Sequence, residues 1–182
     1  MSDYQVFEAG DVLLQSDIPL RDTELVYKTH GTLNAEGTNA IIYPTRYGGT
    51  HVDNEFLIGE GMALDPSKYF IICPNKFGNG TSSSPSNTPA PFDGPKFPRV
   101  TIYDNVMVQH RLVTEVLGVK RFVLAVGWSM GAQQVYQWAC LFPDMVERLA
   151  TLAGSARCAK HNFVFIEGVK AALTADAEFK NG

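Results

Sequence analysis

Gly127, Ser129 and Gly131, in the stretch LAVGWSMGAQQ, form a G-x-S-x-G pattern with a serine held between two glycines. An apolar run of strand length precedes the pattern, and Val135, Trp138, Ala139 and Phe142 follow at helical spacing until Pro143 stops them. This is the setting of a nucleophile elbow. A sharp strand-to-helix turn holds the serine in strained backbone geometry, and side chains at the flanking glycine positions would collide with neighbouring chain segments. The chemistry it suits is acyl transfer through Ser129. The N–H of Met130, at the positive end of the new helix, is the first expected oxyanion donor. A second is expected from the loop TRYGGTH, where Tyr47 or its neighbour Arg46 offers a backbone N–H. Gly48-Gly49 fits a loop that approaches a ligand closely, and equally fits a plain turn.

Ser129 needs a base and an acid. In sheets that carry this elbow, the acid and then the histidine follow the serine in the chain. Beyond Ser129 the sequence holds one histidine, His161, just after RLATLAGS and too early for a residue that should follow the last strand. It reads as a loop or pocket residue. His30, His51 and His110 precede the serine and read as surface or packing residues. Asp144 reads as a turn residue behind Pro143, and Asp176 as part of a helix cap. The acid and base are therefore expected outside this chain, on a C-terminal fragment of the same protein, whether cleaved or separate. The closing Asn181-Gly182 pair reads as flexible and open to nicking.

The elements that must position these residues alternate. LVYKTHG from Leu25, AIIYPT from Ala40, YFIICPN from Tyr69, RFVLAVG from Arg121 and RLATLAG from Arg148 are each of strand length. The middle three are continuously apolar, as in strands covered on both faces, whereas the first alternates and is expected nearer an edge. DNVMVQHRLVTEVLG predicts a helix with an inward stripe of Val106, Gln109, Leu112, Val113, Val116 and Leu117, with Asp104 as its cap and Gly118 at its end. This alternation predicts an α/β fold with right-handed crossovers onto a mostly parallel, doubly wound sheet. The stretch from Asn75 to Pro98, rich in Gly, Ser, Asn and Pro, is expected to be a long ordered loop leaving a central strand.

Composition narrows the partners. With 182 residues, 45% of them hydrophobic and 19% charged, the chain has an ordinary globular make-up and no apolar run that could span a bilayer. A formal net charge of −4 without a Lys/Arg cluster argues against nucleic acid and leaves a small molecule as the expected partner. A homodimer is compatible with all of this. Cys73, Cys140 and Cys158 lack metal-ligand spacing and are expected to be small buried residues, so no metal is expected. The N-terminus MSDYQVFEAGD carries no basic-then-apolar leader pattern, which makes the cytoplasm the expected location.

The stretches TNAIIYPTRYGGTHV, YFIICPNKFGNGTSSSPSN, FPRVTIYDNVMVQHRLVTEVLGV and GWSMGAQQVYQWACLFPDMVERLATLAGSAR together resemble the homoserine O-acetyltransferase family of α/β-hydrolase-fold enzymes. The resemblance runs through nearly the whole chain and implies the N-terminal part of an α/β-hydrolase domain. It further implies that Ser129 takes an acetyl group from acetyl-CoA, as co-substrate and with no bound cofactor, and passes it to an alcohol. Met130 and Tyr47 would then give the oxyanion N–H groups, and the family's Asp and His would fall beyond Gly182. The sequence departs from the family at Trp128, at Ala132, in Pro44-Thr45-Arg46-Tyr47 where the family has His-Ala-Leu-Thr, and in KFGNGTSSSPSN where it has a Gly-Gly-Cys loop. Arg46, Tyr47 and Trp128 alter the pocket wall, so an esterase passing the acyl group to water is the rival expectation. A non-catalytic binding domain of the same fold is the third.

Overall fold

A computed structural model of the chain describes residues 3–179. Six strands, β1 (Gln5–Leu13), β2 (Pro19–His30), β3 (Ala40–Ile42), β4 (Phe70–Pro74), β5 (Phe122–Trp128) and β6 (Leu149–Leu152), form one sheet in the order β1-β2-β4-β3-β5-β6. From β4 through β3 and β5 to β6 every pairing is parallel, while β1 and β2 join antiparallel. All five strand-length segments are strands, and the Leu25 segment, in β2, lies one strand in from the edge, near it as expected. The edge itself is β1, where Phe7 and Ala9 are buried between exposed neighbours and register shifts around Gly10 obscure the alternation. An irregular edge strand of mixed polarity carries little periodic signal.

Three helices follow: α1 (Ile102–Arg111), α2 (Met130–Leu141) and α3 (Lys160–Thr174). α1 with the turn that continues it through Val116, and α2, cover one face, packing Val106, Val113, Val135 and Trp138 on Ala40, Ile42, Phe70, Ile72, Phe122 and Ala125. On the other face Ile41, Tyr43, Ile71, Cys73 and Val126 pack against Leu57, Ile58 and Leu64, at and beyond the end of a 3-10 helix over His51–Leu57. Burial on both sides explains why β3, β4 and β5 read as unbroken apolar runs.

α1 is capped differently from expectation. Thr101 is the N-cap and Asp104 is the third residue of a capping box, its carboxylate accepting the Thr101 N–H at 2.7 Å. The other oxygen of Asp104 accepts the Gln15 N–H at 2.7 Å and so ties the first hairpin to the helix. Beyond Arg111 the helix widens into a π turn over Leu112–Val116 before Gly118 ends it at φ +72°. The extra residue in that turn rotates later positions off the stripe, and Val116, expected inward, is exposed.

The Asn75–Pro98 stretch is an ordered loop. The Ser82 and Ser83 hydroxyls accept the N–H groups of Val26 and Glu24 at 3.0 and 2.9 Å, and Asn79 Oδ1 accepts from the N–H groups of Thr81 and Ser82. Its polar composition thus supplies the partners that a strand neighbour would otherwise give β2. Cys73 is buried, but Cys140 and Cys158 are exposed, contrary to expectation. Cys140 lies on the outer side of α2, and Cys158 precedes α3, whose residues are exposed throughout. Asp176 is not a helix cap. It lies in a turn after α3, where its carboxylate accepts the Glu178 N–H. The Asn181-Gly182 pair lies outside the described residues. No helix among the described residues is long and apolar enough to cross a membrane.

Candidate active site

Ser129 occupies the turn between β5 and α2 and adopts φ 54°, ψ −119°, a conformation that a residue with a side chain rarely takes and that costs on the order of 1–3 kcal/mol. Several contacts hold it there. Its N–H donates to the Leu152 carbonyl of β6 at 2.9 Å, and its own carbonyl accepts from Ala132 and Gln133 at 3.0 and 3.3 Å. The glycines are steric necessities. A Cβ on Gly127 would overlap the Gly131 carbonyl, and one on Gly131 would lie 2.6 Å from the Pro44 oxygen. Gly154, just after β6, is packed just as tightly against Ala132, a close approach that the motif does not reveal.

The contact between Gly131 and Pro44 brings the loop after β3 against the first turn of α2. This is the juxtaposition an oxyanion hole needs. The N–H groups of Met130, Arg46 and Tyr47 have no acceptor among the described residues, so each is free to donate to a reacting oxygen. Gly48, at φ +66°, and Gly49, whose N–H returns to the Arg46 carbonyl at 3.1 Å, close a turn. The turn reading of that pair is thus observed, and nothing among the described residues lies within 4 Å of a Cβ on Gly48.

A buried polar chain fastens this loop from below. Trp138 Nε1–H donates to Gln109 at 2.9 Å, Gln109 Nε2–H donates to Gln134 at 2.7 Å, and Gln134 Nε2–H donates to the Thr45 carbonyl at 2.9 Å. Both glutamines are fully buried, so each unmade bond would carry its whole desolvation cost. Gln109 stood out in the sequence only as a polar residue inside an apolar stripe. Gln109→Leu should lower unfolding stability by about 2–4 kcal/mol, because it strands Trp138 Nε1 and the Gln134 carbonyl; chemical denaturation measures this.

A cleft of about 180 Å³ is lined by Tyr43, Arg46, Asp53, Asn54, Phe56 and Trp128, the residue that precedes Ser129 in the chain. Arg46 and Trp128, expected as pocket residues, are therefore brought together. The 3-10 helix supplies the others. Its T-x-x-D start, Thr50 to Asp53, is a capping box legible in the sequence, and it aims Asp53 at Arg46, 2.8 Å from Nη2 to Oδ1. The Asp53 carboxyl is held below its usual range, mainly by the Thr50 N–H and also by Arg46. Asn54 donates to the Tyr43 carbonyl at 2.7 Å, and the Phe56 ring meets Trp128 edge-on at 6.4 Å. The Tyr47 side chain points away from protein and is 76% exposed, so its contribution is its backbone.

Among the described residues no histidine bonds to Ser129. His51 is buried against Asn75, His110 is stacked on Phe142 at 3.9 Å, and His30 sits 3.8 Å from Glu55 with burial pushing its pKa down. His161, expected in a loop or pocket, instead lies in the first turn of α3 and is exposed. Asp144 lies in an exposed 3-10 turn over Pro143–Met145.

Comparison with known proteins agrees with this geometry. Residues 41–178 match the family model described as the alpha/beta hydrolase fold. Over 180 residues the chain is 46% identical to an ethyl acetate hydrolase of Pseudomonas veronii, covering 98% of this chain and 52% of that protein. The crystal structure of an acetylester hydrolase from Corynebacterium glutamicum superposes with a TM-score of 0.94 at 43% identity, covering 98% of this chain and 52% of that one. A homoserine O-acetyltransferase of Moorella thermoacetica is 35% identical over 187 residues, covering 93% of this chain and 50% of that protein. The chain thus spans about half the length of the relatives it matches. The resemblance to the acetyltransferases holds, but similarity to esterases is greater.

Proposed function

Because this chain belongs to the alpha/beta hydrolase fold family, we propose that it carries the nucleophile and oxyanion hole of an esterase acting on small acyl esters. One observation carries the reading: Ser129 is held at positive φ on a glycine-flanked turn, against a loop with unpaired backbone N–H groups. In the proposed reaction Ser129 Oγ attacks the ester carbonyl carbon while its proton passes to a histidine. The oxyanion is held by the N–H groups of Met130 and Tyr47, and the alcohol leaves with the proton. Water then attacks the acyl-serine by the same route in reverse, releasing the acid and restoring the hydroxyl.

The histidine and its orienting acid are proposed to come from a further segment of the same protein, beyond these residues. The apolar exposure of Phe163, Phe165 and Ile166 on α3 and of Leu152 on β6 supports this, since such surface is rarely left to water.

Transfer to water is preferred over transfer to homoserine for two reasons. The relatives at 43% and 46% identity are named as ester hydrolases, while the acetyltransferase stands at 35%. Arg46, the cation in the cleft, is already paired with Asp53, so it is not free for an acceptor's carboxylate. Acetyl-CoA with an alcohol acceptor remains the second reading, supported by the acetyltransferase relative. The enzyme should release acetate from ethyl acetate at a rate unaffected by homoserine. Formation of O-acetylhomoserine from acetyl-CoA as the main product would overturn the esterase reading.

Trp128→Ala enlarges the cleft that Trp128, next to Ser129 in the sequence, lines. It should raise the kcat/KM ratio of butyl over ethyl esters by about tenfold, the effect of a methylene or two in an apolar pocket. Steady-state kinetics on an ester series would measure it.

A further inference from the structure

Lys76 follows β4 and is only 6% exposed, yet no carboxylate lies within ion-pair distance of its ammonium among the described residues. Its ammonium donates instead to the Arg46 carbonyl at 2.6 Å. That carbonyl belongs to the same peptide group as the Tyr47 N–H. The Gly49 N–H donates to the same oxygen at 3.1 Å, so two donors converge on it while the N–H on the other side of the peptide is left unpaired. A buried cation aimed at a neutral carbonyl is costly to keep unless the charge serves a purpose.

We propose that Lys76 is a positioning residue for acyl transfer at Ser129: it fixes the plane of the Arg46–Tyr47 peptide and strengthens the Tyr47 N–H as an oxyanion donor. The inference rests on the reading of Ser129 as nucleophile and Tyr47 as donor. Amide resonance provides the link, because a cation at the carbonyl oxygen draws electron density from the nitrogen and leaves its proton more positive. The peptide is also held rigid before reaction, which is what gives an oxyanion donor its effect. Burial and then the Arg46 guanidinium push the ammonium's pKa down to about 8, while Asp53 raises it. The charge is therefore present near neutral pH and is lost as pH rises through that value.

The test uses the assembled enzyme, this chain together with the segment bearing its acid and histidine, with ethyl acetate as probe. Lys76→Met should lower kcat by about 10- to 100-fold with KM changed less than about twofold, since an oxyanion donor acts in the transition state. Lys76→Arg, which keeps the charge, should recover most of the loss. In the unsubstituted enzyme kcat should fall above pH about 8, and in Lys76→Arg that alkaline limb should move upward, because a guanidinium stays protonated. The profile of the unsubstituted enzyme requires no variant to fold. Unchanged kcat in a folded Lys76→Met enzyme, or an alkaline limb unmoved in Lys76→Arg, would overturn the inference and leave the esterase reading standing. An unsubstituted enzyme that turns over no ester would overturn both.

Discussion

Ser129→Ala should reduce ester turnover by on the order of 10³-fold or more, leaving only what the oxyanion donors and binding supply. The fold should survive, because among the described residues the serine hydroxyl makes no hydrogen bond that holds the turn; the backbone bonds to Leu152, Ala132 and Gln133 do that. Ser129→Gly gives a paired readout. It loses activity equally but should gain about 1 kcal/mol of stability, because glycine takes φ 54° without strain. Thermal unfolding and initial rates on the two variants separate the two roles of the residue. Equal loss of stability in both would mean that the turn is not strained by its serine.

Gly127→Ala should be severely damaging, because the added methyl has no room at the elbow. Its Cβ would meet the backbone of Gly131 and Ala132, which cannot swing aside as a flexible side chain can. Relief requires moving the start of α2 away from β5, which breaks the elbow and the Gly131–Pro44 contact together. A cost of about 3 kcal/mol or more is expected, with loss of activity in whatever folds. Gly48→Ala is the control: nothing lies within 4 Å of its Cβ, so only the strain of φ +66° opposes it, about 1 kcal/mol. Denaturant unfolding of both variants, with soluble yield, decides whether the clash or merely the loss of a glycine matters.

The contrast between these glycines shows what the sequence could carry. Gly127 and Gly131 were legible because an elbow forces close packing at fixed offsets, so a local pattern reported a tertiary constraint. The strands β3, β4 and β5 were legible for a related reason: burial on both faces removes every polar residue from a short run. β1 was not, because an edge strand with a bulge at Gly10 satisfies the sheet without keeping a period. Val116 was misplaced by the π turn, which depends on the local hydrogen-bond register and leaves the apolar spacing unchanged.

The site divides in the same way. Ser129, Met130, Arg46 and Trp128 announce themselves by the motif or by bulk where a small residue is usual. Lys76 and Gln134 do not, since both act on carbonyls of the Thr45–Arg46 segment from distant parts of the chain, and a single lysine or glutamine has no spacing to betray it. Asp53 lay between these cases. Its capping box with Thr50 could be read, but its pairing with Arg46 needed the loop and the 3-10 helix brought together.

Every chemical step proposed above depends on Ser129 as the nucleophile. The most direct test of that role is to treat the assembled enzyme with a serine-directed phosphonate and locate the adduct by peptide mass spectrometry. One adduct is expected, on the peptide containing GWSMG, at Ser129, together with loss of esterase activity in proportion to labelling. Inactivation with the adduct on any other residue would contradict that role.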